Sequence, residues 1–443
     1  MKSTLVFPQQ LLDNLLARLL ADEGLETCAI FLARSAQRSD HTRFLVFEEI
    51  FVDPAKYDQR SIDRIVLSPE LVHKAAVAAR KQTATVVFVH SHPGLDTRPI
   101  FSKTDDQGEL PLVQFFSTFL PDFPIVSVVV SSGGIRARIM ESHEDVEIVS
   151  IGRSLNGYAV SSIANMELHN RQILALGKEG QERIGSLNIG IVGLGGTGSF
   201  VAQELIYLGA SSFILIDPEI IEYSNLNRLV GASINDIGTP KVNVAKRTIK
   251  NVSPEANVEC FQADVIDDAS AEELLECSII FCCTDSHGSR AVLNQLSYQY
   301  FIPVIDMGVS LTAKDGLLTH INGRVQLLGP GLGCLTCGEF LNPDEVRRDL
   351  MSENQKADDP YFTGAEGLPQ PAVISVNGTI SSLAITMFLG IVTELPIPYR
   401  YQLYDGISGR LRSVEHMPRP GCVTCSPEGA YARGDTWDLP TRK

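Results

Sequence analysis

His90-Ser91-His92 closes an apolar run, Thr85–Val89, that reads as a β-strand. Alternation along a strand puts the two imidazoles on one face, which suits a pair of ligands on one metal ion. Asp105, in Ser102-x-x-Asp105, is placed to add a carboxylate ligand. A hydrolytic zinc needs three protein ligands, one open position and a free carboxylate to take a proton from the attacking water. Glu48 and Glu49, adjacent in the apolar run Arg43–Val52, are the candidates for that base. A second group is Gly193-Leu194-Gly195-Gly196-Thr197-Gly198. It follows the apolar run Ile189–Val192 and precedes a helical pattern at Val201, Leu205 and Leu208; the next apolar run, Phe213–Ile216, ends at Asp217. This is a βαβ unit with a G-x-G-x-x-G loop. Its glycines let the backbone approach a phosphate at a helix N-terminus, and its closing acid can bind ribose hydroxyls. A third group is Cys334-x-x-Cys337 with Cys422-x-x-Cys425. Two such knuckles converge on a closed tetrahedral zinc site, structural rather than catalytic.

The glycine loop alone does not choose between a dinucleotide and ATP, but its neighbours do. Asn170-Arg171-Gln172 lies upstream; Asn225-Leu226-Asn227-Arg228 and Gly238-Thr239-Pro240-Lys241 lie downstream. A further apolar run, Ser278–Cys283, ends in Thr284-Asp285, with Arg290 beyond. These ends gather at the C-terminal edge of one parallel sheet, where such folds bind ligands. The chemistry suggested is carboxylate adenylation, in which a carboxylate attacks the α-phosphate of ATP and pyrophosphate leaves. Arg171, Arg228 and Lys241 would neutralise the phosphates, and Asp285 would hold Mg²⁺. An NAD-dependent oxidoreductase needs no such ring of cations and stands as a rival reading.

The elements that must position these groups follow from pattern. Leucines at 11, 12, 15, 16, 19 and 20 predict an amphipathic helix over residues 8–22. Strands are expected at Thr27–Ala33 and Arg43–Val52. Ser68-Pro69-Glu70 predicts a helix start, running to about Lys81. Ile125–Ser131 and Ile135–Met140 read as a hairpin about Gly133-Gly134. The expected architecture is α/β: an α+β domain over residues 1–150, a linker over 151–165, and a Rossmann-like, mostly parallel sheet domain over 166–443. Residues 339–371 read as a long crossover loop, and the tail after Cys425 as loosely ordered.

At 443 residues the chain is long enough for two or three domains, and its formal charge of −16 argues against a nucleic-acid partner. Met1–Pro8 lacks the pattern of a secretory leader. The longest apolar run, Ile380–Val392, carries Ser381, Ser382 and Thr386 and reads as a buried helix rather than a membrane span. Nine cysteines without secretory context suit metal or free thiols in the cytoplasm. Cys28, Cys260, Cys277, Cys282 and Cys283 are expected in the core.

The first constellation resembles the JAMM (JAB, MPN+) metalloproteases: an upstream Glu, then His-Ser-His-Pro, then Ser-x-x-Asp, within residues 25–140. The resemblance implies zinc on His90, His92 and Asp105, oxyanion stabilisation by Ser102, and Glu49 as general base. Nine residues separate His92 from Ser102, two more than the family pattern has. Residues 165–425 resemble the MoeB/ThiF/ubiquitin-activating superfamily. That resemblance implies a nucleotide loop of Gly193, Gly195 and Gly198, ribose on Asp217, and phosphates on Asn225, Arg228 and Lys241. It also implies magnesium on Asp285, and Arg171 as an arginine finger reaching the other subunit of a homodimer.

The expectation is therefore a fusion of the kind found in bacterial ubiquitin-like modification systems, antiviral ones included. One half would process or remove a ubiquitin-like protein; the other would activate its C-terminal glycine carboxylate. ATP, Mg²⁺, one catalytic Zn²⁺ and one structural Zn²⁺ are the expected cofactors. Residues 338–421 hold no cysteine, so the adenylate is expected to pass to a separate conjugating enzyme or sulfur donor rather than to a thioester on this chain. Ser352 or Thr363 is a weaker hydroxyl option. Sulfur transfer in cofactor synthesis is the alternative purpose.

Overall fold

The computed structural model describes residues 2–21, 24–38, 40–158, 167–314, 317–352, 355 and 371–442. The chain forms two compact units: Met1–Gly152 with Tyr431–Trp437, and Arg153–Ala430 with Asp438–Lys443. The first boundary falls inside the stretch read as a linker. Residues 159–166 of that stretch and its margin lie outside the described residues.

In the first unit the strands are β1 (Lys2–Pro8), β2 (Cys28–Gln37), β3 (His41–Ile50), β6 (Thr85–Ser91), β7 (Val126–Ser131), β8 (Gly134–Ile139) and β9 (Asp145–Ile151), with β4 (Tyr57–Arg60) and β5 (Ile65–Leu67) as a separate hairpin. The main sheet runs β1-β3-β2-β6-β7-β8-β9, and β9 returns to pair with β1. Strand alternation sorts the side chains into two cores. Phe31, Val87 and Val89 meet Leu12, Leu15 and Leu19 of α1 (Gln9–Leu19). Ile30, Leu32, Val86 and Phe88 meet α2 (Pro69–Gln82) and Phe116 of α3 (Lys103–Phe119). α2 starts where Ser68-Pro69 predicts, with Ser68 Oγ accepting from Leu71 N at 3.4 Å.

The expectation of a loose tail is corrected. Ala432 has no exposed surface. The buried guanidinium of Arg34 donates to its carbonyl at 3.3 Å, and Gln37 N donates to Asp435 Oδ2 at 2.7 Å. Residues 431–437 therefore belong to the first unit, not to the 166–443 domain. Polar composition hid this because the tail's backbone is satisfied by partners distant in sequence. In the second unit Arg442 pairs with Asp267 at 2.7 Å.

The second unit holds the short strand β10 (Leu155–Asn156), then β11 (Asn188–Val192), β12 (Ser212–Ile216), β13 (Asn257–Phe261), β14 (Ile279–Cys282), β15 (Val304–Lys314), β16 (Leu317–Leu328), β17 (Tyr401–Asp405) and β18 (Arg410–Ser413). Its sheet order is β13-β12-β11-β14-β15-β16-β17-β18. It is parallel from β13 to β15 and antiparallel from there on. The order reverses at β11, flanked by β12 and β14, which creates the crevice where ligands sit in such sheets.

Among the described residues the helices of this unit include α4 (Asn170–Ser186), α5 (Gly198–Tyr207), α6 (Lys241–Val252), α7 (Asp268–Glu273), α8 (His287–Gln299), α9 (Pro343–Leu350) and α10 (Ile374–Val392). Among the described residues α10 alone is long and apolar enough to cross a membrane by composition. It instead buries Ile380, Ala384, Phe388 and Ile391 against α5, β15 and β16. α9 lies in the stretch read as a long crossover loop; residues 353–354 and 356–370 of it, Thr363 included, lie outside the described residues.

Candidate active sites

In the first unit, β2 and β6 run antiparallel with Cys28 opposite His90. His90 and His92 point to the α3 side, where Asp105 sits in the helix's first turn. His90 Nε2 and His92 Nε2 are 3.3 Å apart. Asp105 Oδ1 is 3.1 Å from His90 Nε2, and Oδ2 is 3.4 Å from His92 Nε2. Ligands about 2.0–2.1 Å from a tetrahedral zinc are separated by about 3.3 Å, so these three side chains fit that ion. Ser102 caps α3: its Oγ accepts from Asp105 N at 3.1 Å, while its own N–H donates to Asp105 Oδ2 at 2.5 Å. Burial works to raise the Asp105 carboxyl, but the hydrogen bonds from His90 and His92 outweigh it and hold the group well below the usual range.

The long loop between His92 and Ser102 is absorbed by the turn between β7 and β8. Ser131 Oγ donates to Thr97 O at 2.7 Å, and Ser132 Oγ to Leu95 O at 2.9 Å. A Cβ on Gly133 would stand 2.2 Å from the Thr97 carbonyl carbon, so only glycine allows this approach. The extra residues lie flat on the hairpin and leave Asp105 in place. Behind it, buried Arg138 bonds Asp106 at 2.8 Å and Glu109 at 2.7 Å, pinning α3 to β8.

In the second unit a cavity of about 560 Å³ opens at the C-terminal ends of β11, β12 and β14. Gly193, Gly195, Asp217, Asn225, Arg228, Lys241 and Asp285 all line it. Gly193 has φ +86, and a Cβ on Gly198 would fall 1.8 Å from Gly193 O, so the loop closes only with glycine at both places. Gly195 faces open space. Asp217 is buried, accepting from Leu194 N at 2.6 Å and Glu219 N at 2.8 Å. Burial pushes its carboxyl up, against the pull of those bonds and of Lys241. Lys241 Nζ is paired with Glu219. Arg290 also lines the cavity, held at 3.3 Å by Asp306, which has no exposed surface.

Arg171 is exposed in the first turn of α4 and lines no part of this cavity. Its neighbours are anchored: Gln172 Nε2 donates to Tyr207 O at 2.8 Å, and His169 is buried beside Gly209. The segment is fixed while Arg171 is left outward.

The four knuckle cysteines, on the same unit, lie with all sulfurs within 4.8 Å of one another. Cys334 and Cys422 Sγ are 3.6 Å apart, and Cys337 and Cys425 Sγ 3.4 Å. The thiols are free, and these spacings are too long for disulfides. Tetrahedral Zn–S bonds of about 2.3 Å put the sulfurs about 3.8 Å apart, so the set fits zinc after slight expansion. Cys337 N donates to Cys334 Sγ at 3.3 Å and Arg419 N to Cys337 Sγ at 3.2 Å. Thiol hydrogen bonding, first from Cys425, brings the Cys334 thiol down to about 5.

The sequence model of the ThiF family matches residues 169–424, more than half of the chain. This chain belongs to the ThiF family. Residues 8–140 match the prokaryotic homologs of the JAB domain, so a JAB-type domain is fused ahead of the ThiF domain. The chain is 27% identical over 259 residues to the molybdopterin-synthase adenylyltransferase of Salmonella typhimurium, covering 58% of this chain and 95% of that one. It is 26% identical over 267 residues to the sulfur carrier protein ThiS adenylyltransferase of Escherichia coli, covering 59% and 96%. It is 25% identical over 269 residues to the SAMP-activating enzyme E1 of Haloferax volcanii, covering 60% and 90%.

One expected residue is misplaced in the JAB-type domain. Glu49 lies opposite Phe31, on the α1 face of the sheet, and pairs with Arg18 of α1; the histidines use the other face. Glu48 is bonded by Gln82 Nε2 at 2.5 Å, at the end of α2. The acid at the cluster is Glu26, 4% exposed, with Oε1 3.9 Å from His92 Nε2. Burial raises its carboxyl, against the pull of His90 and His92. Strand register could have found it: two residues before Cys28 stands opposite two residues after His90. In the ThiF domain the cavity-lining residues that the sequence reading missed include Asp264 and Asn377. Cys282 is a core group as expected, whereas Cys283 is half-buried and lines the cavity; burial pushes both thiols up.

Proposed function

We propose that the ThiF domain is an ATP-dependent adenylyltransferase for the C-terminal carboxylate of a ubiquitin-like or sulfur-carrier protein ending in glycine. The observation that carries this is one cavity lined by the glycine loop, Asp217, Asn225, Arg228, Lys241 and Asp285. Gly195 and the start of α5 seat phosphates, Asp217 the ribose, Arg228 and Lys241 the charge that builds on the triphosphate. Asp285 would hold Mg²⁺, which screens the leaving pyrophosphate. An oxidoreductase has no use for two cations and a metal-holding acid at the phosphates. Two of the relatives named above are adenylyltransferases, one of them of a sulfur carrier protein, and the third is an activating enzyme, which supports the same choice. Arg171, outward-facing, serves the cavity of a second copy in a homodimer.

The JAB-type domain is the matching hydrolase. His90, His92 and Asp105 would hold Zn²⁺, which polarises a scissile carbonyl and activates water. Glu26, whose carboxyl burial raises above its ordinary value, takes the proton from the attacking water and returns it to the leaving amine. Ser102, the N-cap of α3, would stabilise the developing oxyanion. Both domains then act on the same tail, one exposing or releasing the terminal glycine and the other activating it. One chain keeps the two sites at high local concentration. With no cysteine between 338 and 421, the activated tail passes to a separate conjugating enzyme or sulfur donor. The setting is the cytoplasm of a cell with a ubiquitin-like modification pathway.

The test is ATP–pyrophosphate exchange with small carrier proteins recovered from the source cell by pull-down on this chain. Exchange that needs the carrier's terminal glycine, and that disappears in Asp285→Ala, is the expected result. Nicotinamide binding without exchange would overturn the reading.

A further inference from the structure

Asn377 is a cavity residue left without a task. It sits in the first turn of α10, 5% exposed, and lines the nucleotide cavity. Its Nδ2 stands 2.1 Å from where a Cβ on Gly196 would be, so glycine at 196 is what admits it. Its backbone N–H is used, donating to Val373 O at 3.2 Å. Its carboxamide has no hydrogen-bond partner among the described residues. The side chain lines the cavity, so this unpaired amide opens on the space a ligand would fill, and a polar group there calls for a partner. Ser381, one turn further along α10, shows the contrast: its Oγ donates to Thr197 O at 3.0 Å and so fastens the helix to the glycine loop. Asn377 faces the same loop and fastens nothing.

What surrounds the amide defines its ligand. Arg228 Cδ comes within 3.6 Å of the same point over Gly196, and Gly195 beside it opens on empty space. The N-terminus of α5 begins at Gly198, so its N–H groups add positive field there. An N–H donor, a guanidinium and a helix start around one gap are suited to anionic oxygens.

We infer that Asn377 is a nucleotide-contacting residue whose carboxamide donates to a non-bridging phosphate oxygen of ATP seated over Gly195–Gly196. The inference rests on the adenylation reading and adds to it a contact supplied from the far side of the crossover segment. The pocket is then complete only when the start of α10 is in place.

Equilibrium binding of ATP and of adenosine to the full chain tests this, with Asn377→Ala and Asn377→Asp as variants. Losing a hydrogen bond to a charged group should weaken ATP by about 10-fold or more in Asn377→Ala. Asn377→Asp should weaken it further, because a carboxylate then faces the phosphates. Adenosine, which has no phosphate, should bind all three proteins alike, and their melting temperatures without nucleotide should match. Equal losses for adenosine and ATP would mean that Asn377 only shapes the cavity, and would overturn the inference. So would unchanged ATP affinity with a raised KM for the carboxyl-bearing protein. A wild-type chain that binds no ATP defeats the adenylation reading itself, and the inference with it.

Discussion

The two metal-fitting clusters are built to opposite plans. The Cys334, Cys337, Cys422 and Cys425 set supplies four ligands, with neighbouring N–H groups closing around the sulfurs. It leaves no position for a substrate, and it ties the segment after β16 to the segment after β18. The His90, His92 and Asp105 set supplies three ligands, one fewer than a tetrahedral ion takes, and a nearly buried acid, Glu26, faces the same histidines. A finished coordination sphere holds a fold; an unfinished one beside a general base does chemistry. The nucleotide cavity extends the contrast, since its own chain supplies loop, acids and cations but turns Arg171 away.

The sharpest way to break the comparison is to open the closed centre. Cys425→Ser should remove one of two bound zinc equivalents and take most of the ThiF domain's stability with it, because structural zinc binding is folding free energy. Metal analysis with thermal melting reads this. A variant that melts as wild type would make the four thiols a redox pair set rather than a zinc site.

Next comes the open centre. Glu26→Gln should keep its zinc and lose cleavage of a precursor extended beyond the carrier's terminal glycine by about 10²–10⁴-fold. Glu49→Gln, which breaks only an ion pair with Arg18 on the other face of the sheet, should cleave within about 2-fold of wild type, as partly exposed pairs contribute little. The reverse ranking would restore Glu49 as the base.

That choice shows what sequence could and could not carry. Contiguous motifs were legible: the glycine loop, the knuckles and His-Ser-His all came together where their spacing placed them, because each is a local chain geometry. The Ser68-Pro69 start of α2 was legible for the same reason. Glu26 was not, because its membership depends on which residue of β2 faces which residue of β6. A pair of adjacent acids in a strand looked more like a site than one acid at a loop end. Asn342-Pro343-Asp344 carried a readable helix start for α9, with Asn342 Oδ1 accepting from Asp344 N at 3.0 Å, yet polar composition masked it. The packing of residues 431–437 on β2 had no local signal at all.

The half-site in the nucleotide cavity predicts complementation. Arg171→Ala and Asp285→Ala should each lower ATP–pyrophosphate exchange by about 10²-fold. Mixed and allowed to exchange subunits, the two should recover part of the activity, since one cavity in a mixed dimer has both its own Asp285 and the other copy's Arg171. Recovery absent in a chain shown to be dimeric would remove Arg171 from the chemistry.

The smallest effect separates stability from chemistry in the open half. Asp435→Ala removes the acceptor that Gln37 N meets at 2.7 Å and Arg38 at 3.4 Å. The carboxylate is 40% exposed, so the loss should be about 1 kcal/mol, or about 3 °C on the JAB-type domain's melting. The tail touches β2 near Ser35–Gln37, whereas Glu26 precedes the strand's other end, about ten residues or some 30 Å of extended chain away. Zinc content and cleavage should therefore stay as in wild type. In a zinc-loaded four-cysteine centre no substitution should divide the two properties in this way, because metal binding and folding would there be one equilibrium. If Asp435→Ala lost zinc or cleavage along with its few degrees, the JAB-type cluster would share that coupling, and openness alone would not distinguish the two centres.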